Sequence, residues 1–254
     1  MSSLAISGIV FVCIVGGIVL GMILRGILPE EHLSAETKGL VSLGMGLIGT
    51  MTALVLGLLI GSAKSPFDAQ RNGLAQMSAN VIFLDRALAH YGPETKDVRE
   101  LLRASIADML QRTWPGDNHE PGQTKEKSGT EGKYEGLYDK IQELAPKNDA
   151  QRAFQAQALK TAMDIGQSRW LLFSEKGSSI PTAFLVVMVA WLTLILASFS
   201  LFAPRNATVF VTLLICALAV SSAIFLVLEL DRPFDGMIQI SSAPVRNALS
   251  QFGR

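Results

Sequence analysis

The sequence predicts an all-α polytopic membrane protein with four transmembrane helices and a helical cytoplasmic bundle between the second and third. Three observations predict it. Four runs of twenty or more residues carry no charge, enough at 1.5 Å rise per residue to cross about 30 Å of hydrocarbon. Most charged residues lie between Lys64 and Lys176, and apolar residues there recur at helical period. The chain is also 49% hydrophobic and only 17% charged, with a mean hydropathy of +0.35, where soluble domains run nearer a quarter charged.

The first span is Leu4 to Leu24, closed by Arg25. A cleaved signal peptide is not expected, because no basic residue precedes the run and no small-residue cleavage site follows it. The second span is Gly39 to Ala63, bounded by Lys38 and Lys64. Gly49, Ala53, Gly57 and Gly61 recur there every fourth residue. Small residues in that register let a second backbone approach, which is how helices pack where lipid supplies no hydrophobic drive. Gly17 and Gly21 are a lesser version in the first span. Ile180 to Phe202 and Ala207 to Leu228 are the third and fourth spans. Ala203-Pro204-Arg205-Asn206 between them suits only a tight antiparallel hairpin. Trp191 lies mid-span and is expected to pack on a neighbouring helix.

Positive charge near the span ends sets orientation. Arg25, Lys38 and Arg205 lie on one side. Lys64, Arg71, Lys160, Arg169, Lys176, Arg232, Arg246 and Arg254 lie on the other. Eight against three places both termini and residues 64–176 in the cytoplasm, and the protein in the plasma membrane.

The organisation expected is thus a hairpin over 1–63, a cytoplasmic helical domain over 64–179, a second hairpin over 180–230 and a cytoplasmic segment over 231–254. Within the domain, Leu74, Met77, Val81, Leu84, Leu88 and Tyr91 step by 3 and 4, a bundle seam on one helix. Gly92-Pro93 ends it. A second helix fits Glu94 to Trp114, with Val98, Leu101, Leu102, Ile106, Met109 and Leu110 on one face. Residues 115–132 hold no aliphatic or aromatic residue, so a mobile surface loop is expected. A short amphipathic helix then carries Tyr134, Leu137, Tyr138, Ile141 and Leu144. Asp149 to Phe173 forms a long one, completing a four-helix bundle.

Several chemistries find no foothold. Net charge is zero, so there is no basic excess to neutralise nucleic-acid phosphates. Cys13 and Cys216 sit in apolar runs and read as small buried hydrophobes. His32, His90 and His119 share no metal-ligand motif. No phosphate loop, GxSxG or HExxH is present, so no enzyme and no cofactor is expected. None of the spans keeps an ionisable group mid-membrane, which argues against an ion-coupled transporter.

Two short motifs stand at the cytoplasmic span ends. The second span runs into Ser65-Pro66-Phe67-Asp68, where Ser65 suits an N-cap and Pro66 the first position of a new helix. The fourth runs into Glu229, Asp231, Arg232, Pro233, Phe234, Asp235 and Gly236. Acids at a helix C-terminus meet an unfavourable dipole, so Glu229 and Asp231 are expected to have a partner elsewhere, such as a helix N-terminus or a basic side chain. Pro233 stops the helix and Gly236 permits a sharp turn. The shared Pro-Phe-Asp hints at two hairpins of like orientation.

At these motifs the chain resembles the bestrophin-like domain family, over nearly its whole length. That family pairs a PFD-type motif and an Ala-Asn step, here Phe67, Asp68, Ala79 and Asn80, with an LDRPF-x-G motif, here Leu230 to Phe234 and Gly236. It usually carries a Glu before the Ala-Asn step, and Ser78 stands there in this chain. The resemblance implies kinship with bestrophins, oligomeric anion channels whose pore is lined by the second membrane helix. A homo-oligomer in the lipid bilayer, passing small ions, is the function it implies. Ser42, Thr50, Thr52, Thr193, Ser198, Ser221 and Ser222 are hydroxyls that could line such a path, or simply bond their own backbone. The alternative is a membrane-anchored scaffold or sensor that binds a partner through the helical domain.

Overall fold

A computed structural model describes residues 2–115, 130–174, 180–204, 206–234 and 236–252. Every regular element among them is helical: α1 (Ser3–Ile27), α2 (Ala35–Tyr91), α3 (Lys96–Thr113), α4 (Thr130–Gln142), α5 (Asp149–Ser174), α6 (Thr182–Phe202), α7 (Ala207–Leu230) and α8 (Ala243–Ser250). Short 3-10 turns precede α2 and α3. Helices α1, α2, α6 and α7 are long and apolar enough to cross a membrane. Most of residues 115–132, expected as a loop, lies outside the described residues.

The chain contacts divide it into two units. One comprises Met1–Phe67 and Ser178–Ile238, the other Asp68–Gly177 and Gln239–Arg254. The C-terminal stretch, set apart as one segment on sequence grounds, is therefore divided between the units. Its last helix joins the second.

In the first unit, Ser2 caps α1 by accepting the N–H of Ala5. Val10, Ile14 and Ile18 of α1 are buried with Met188 and Leu196 of α6, Leu213, Ala217 and Ile224 of α7, and Leu59 and Ala63 of α2. The closest helix approach is α1 on α6. A Cβ at Gly17 would lie 2.5 Å from Thr193 Cγ2, and one at Gly21 would collide with Ser200 Oγ and the Ala197 carbonyl. Ser200 Oγ is buried and within hydrogen-bond distance of Ile18 O (2.9 Å) and Ala197 O (2.8 Å). Positions advance together along both helices, so α1 and α6 run parallel. Two hairpins of like orientation require that direction. Trp191 is half-buried.

One correction concerns α2. A new helix beginning at Ser65-Pro66 was expected, yet the helix is continuous for 57 residues with Pro66 inside it. Ser65 caps nothing there. Proline lacks the N–H that would bond the Ser62 carbonyl, a loss that normally kinks or breaks a helix. The i→i−4 bonds on either side of it carry the helix through. A second correction concerns Cys13 and Cys216. Both are exposed on the surface of the chain, on two of the helices long and apolar enough to cross a membrane.

In the second unit, the seam read from the sequence is the buried one. Leu74, Met77, Val81, Leu84, Leu88 and Tyr91 are all at most 4% exposed. Val98, Leu102, Ile106, Met109 and Leu110 of α3 are buried too, as are Leu137 and Ile141 of α4 and Ala158, Ala162 and Ile165 of α5. Helix ends are closed by side chains. Thr95 Oγ1 donates to Leu88 O at 2.6 Å and Gln151 Nε2 to Tyr91 O at 2.9 Å. Gln155 Nε2 reaches Ile141 O and Leu144 O. Gly92 has φ +137, a backbone state that favours glycine. Asp85 and Arg99 form a two-pronged ion pair, Nε to Oδ1 at 2.7 Å and Nη2 to Oδ2 at 3.0 Å.

Candidate functional site

The LDRPF-x-G motif closes α7. Asp231 is its C-cap, and the Arg232 N–H bonds Glu229 O at 3.0 Å, tightening the last turn. Glu229 is buried, at 5% exposure. Its Oε2 accepts the N–H of Met237 at 2.6 Å. A buried carboxylate needs such a donor, and here the loop that follows the helix supplies it. For Glu229 the partner shown is thus a backbone N–H. Asp231, Arg232 and Phe234 also have interaction partners. Asp235 lies outside the described residues.

At Gly236 the space a side chain would take is filled by Glu229. The only positive-φ glycine among the described residues is Gly92, so Gly236 is not serving a left-handed turn. A Cβ there would collide with Glu229 Oε2. The missing side chain leaves room for the carboxylate to reach Met237. Glycine and glutamate in this motif are two halves of one contact.

In the first motif, Pro66, Phe67 and Asp68 are half-buried and Ser65 is exposed, all within α2. Asn80 Oδ1 accepts from Gln76 Nε2 at 3.2 Å, one turn away. Ser78, where the family usually carries Glu, is 4% exposed and donates to Leu74 O at 2.8 Å. An unpaired carboxylate at that position would be costly, so serine suits this packing.

The small-residue stripe of α2 has no partner among the described residues. Nothing lies within 4 Å of a Cβ built at Gly49, Gly57 or Gly61, and Ala53 is exposed. Leu40, Leu43, Leu47, Leu54 and Leu58 are 73%, 75%, 61%, 75% and 68% exposed. Only 11% of the most apolar window of α2 is buried, against 28% in each of the other three spans. Of the span hydroxyls, Thr50, Thr52, Thr193 and Ser222 donate to their own helix three or four residues back. Ser221 is buried with no hydrogen-bond partner among the described residues. No group of acidic, Cys or His side chains suited to a metal occurs among the described residues.

Sequence reasoning missed two contacts. Met237 lies one residue beyond the motif, and its backbone rather than its side chain is used, so no side-chain pattern could have found it. Trp114 donates from Nε1 to Ile240 O at 2.8 Å. Its signal was a lone tryptophan at a helix end.

The comparisons with known proteins agree with this architecture. A family model described as bestrophin-like domain matches residues 12–245. No curated protein matches. The fold is similar to the crystal structure of a bacterial bestrophin homologue from Klebsiella pneumoniae carrying a point mutation, with a TM-score of 0.65 at 16% identity. That likeness covers 95% of this chain and 98% of the other. The likeness in fold extends over the four apolar helices and the helical unit between them, and the family model spans both motifs. The chain belongs to the bestrophin-like domain family.

Proposed function

We propose that the protein is the subunit of an oligomeric anion channel whose path is lined by α2. The observation that carries this reading is the uncovered face of that helix. Glycine costs about 1 kcal/mol relative to alanine in a helix interior. Yet α2 keeps Gly39, Gly44, Gly46, Gly49, Gly57 and Gly61 with open space around each. On a lipid-facing helix such glycines gain nothing. Between copies of the chain they permit close backbone contact, and beside a lumen they widen it. Leu43, Leu47, Leu54 and Leu58 supply apolar constrictions of the kind that gate by dewetting. Membership of the bestrophin-like family supports the same reading.

In this reading both termini and residues 64–176 face the cytoplasm of a plasma-membrane protein. The eight-to-three bias in positive charge and the parallel course of α1 and α6 support that orientation. An impermeant thiol reagent that reached a cysteine placed at Asn206 only from the cytoplasmic side would reverse it.

A scaffold role is favoured by one observation. Met163 and Trp170, seven residues apart on one face of α5, are 57% and 70% exposed, and Leu171 beside them is 56% exposed. Such an apolar face in a helical domain asks for a protein partner. Reconstitution in planar bilayers separates the two. The channel reading expects currents that reverse near the chloride equilibrium potential under a potassium chloride gradient. Reversal near the potassium potential would overturn the anion assignment, and absence of current in either polarity would favour the scaffold.

A further inference from the structure

A cleft of about 330 Å³ in the second unit is lined by Arg86 of α2 and by Asn247, Ser250 and Gln251 at the end of α8. Its α8 wall is firmly seated. Val245 and Ala248 are buried and α8 packs against α3. Just upstream, the buried Trp114 indole donates to Ile240 O at 2.8 Å. The cleft itself is open to solvent, with all four lining residues exposed.

Arg86 carries the only charge among the lining residues. An arginine beside a helix C-terminus often serves the open carbonyls there. Here those carbonyls have partners already. Asn247 O accepts from Ser250 Oγ at 2.8 Å, Ala248 O from the Gln251 N–H at 3.1 Å, and Leu249 O from the Phe252 N–H at 3.4 Å. Nor is Arg86 spent on Asp85, whose two oxygens are held by Arg99. The side chains of Arg86, Asn247 and Gln251 make no hydrogen bond or ion pair with any described residue. A guanidinium and two carboxamides thus converge on one space with their donors free and no acid beside them.

We propose that this cleft binds a small organic oxyanion, a carboxylate or a phosphate monoester. The guanidinium fork takes two oxygens of the anionic group, and Asn247 and Gln251 donate to further oxygens of the ligand. Ser250, its proton committed to Asn247 O, is left as an acceptor. The volume lies at the small end of ligand sites. Binding there does not depend on the protein's conducting ions.

Calorimetric titration of the full-length protein in detergent with succinate, and separately with glycerol 3-phosphate, tests the site. At about 0.15 M sodium chloride, unspecific attraction between exposed charges is largely screened. Saturable binding of one of the two at one site per chain is expected. Arg86→Gln should weaken it about tenfold or more, the loss of a charged hydrogen-bonding partner, with the melting temperature unchanged. Arg103→Gln, an exposed arginine of α3 outside the cleft, should bind as the wild type does. The double variant Asn247→Ala with Gln251→Ala should bind several-fold more weakly. Saturable binding of neither probe would overturn the site. Equal affinity in Arg86→Gln and the wild type would overturn it too, as would an equal loss in Arg103→Gln.

Discussion

Gly21→Leu is expected to cost about 3 kcal/mol or more and to disrupt the packing of the membrane helices. The Cβ alone would collide with Ser200 Oγ and the Ala197 carbonyl. One of those is backbone and cannot swing aside. Overpacking a tight contact usually costs about 1–3 kcal/mol. Here the displaced hydroxyl would also leave Ile18 O, buried in the α1–α6 contact. Thermal unfolding in detergent should show the loss as a markedly lower midpoint. Gly57→Leu is the control. Nothing lies within 4 Å of its Cβ, so the fold of the single chain should keep its stability and any effect should fall on assembly. Wild-type stability for Gly21→Leu would mean that α1 and α6 are not packed as described.

Arg99→Ala should be the most damaging single change in the second unit. Asp85 is 4% exposed, and both of its oxygens are held by the guanidinium. The carboxylate beside Arg99 raises the pKa of that group, chiefly through the hydrogen bond. Removing the arginine leaves a buried anion without its cation, which costs about 3 kcal/mol when one partner of a buried pair is lost. Arg99 is partly solvent-exposed, which places the expectation at the low end of that range. Replacing both partners, Asp85→Leu with Arg99→Met, should recover most of the loss, because no unpaired charge remains. Chemical denaturation of the single and double variants checks the pair. Equal losses in both would mean that packing, and not the stranded carboxylate, is what matters.

Much of the architecture was legible because its signals are one-dimensional. A charge-free run announces a span, and the 3–4 spacing from Leu74 to Tyr91 announced a buried seam that is at most 4% exposed throughout. What escaped depends on which of two local preferences wins. Ser65-Pro66 carries every mark of a helix start, yet α2 continues through it. The glycines posed the reverse problem. Gly17 and Gly21 read as the lesser pair and make the close contact within the chain, whereas the fuller stripe on α2 meets nothing among the described residues. Periodicity identifies a face without saying what covers it. In the C-terminal motif the acid was recognised as needing a partner, but the partner is a backbone N–H eight residues on. Backbone donors are the same at every position and leave no mark in a sequence. Helix α8, at eight residues, was too short to stand out from the segment around it.

A channel of the proposed kind requires α2 to turn its uncovered face towards other copies of the chain around a central axis. Single-particle images of the purified protein test this most directly. The expected result is a closed ring of identical subunits with α2 nearest the axis, Leu43, Leu47, Leu54 and Leu58 facing a narrow path, and Gly49, Ala53, Gly57 and Gly61 beside that path or at the contact between neighbours. A monomer, or a ring with α2 on the outer rim facing detergent, would contradict it.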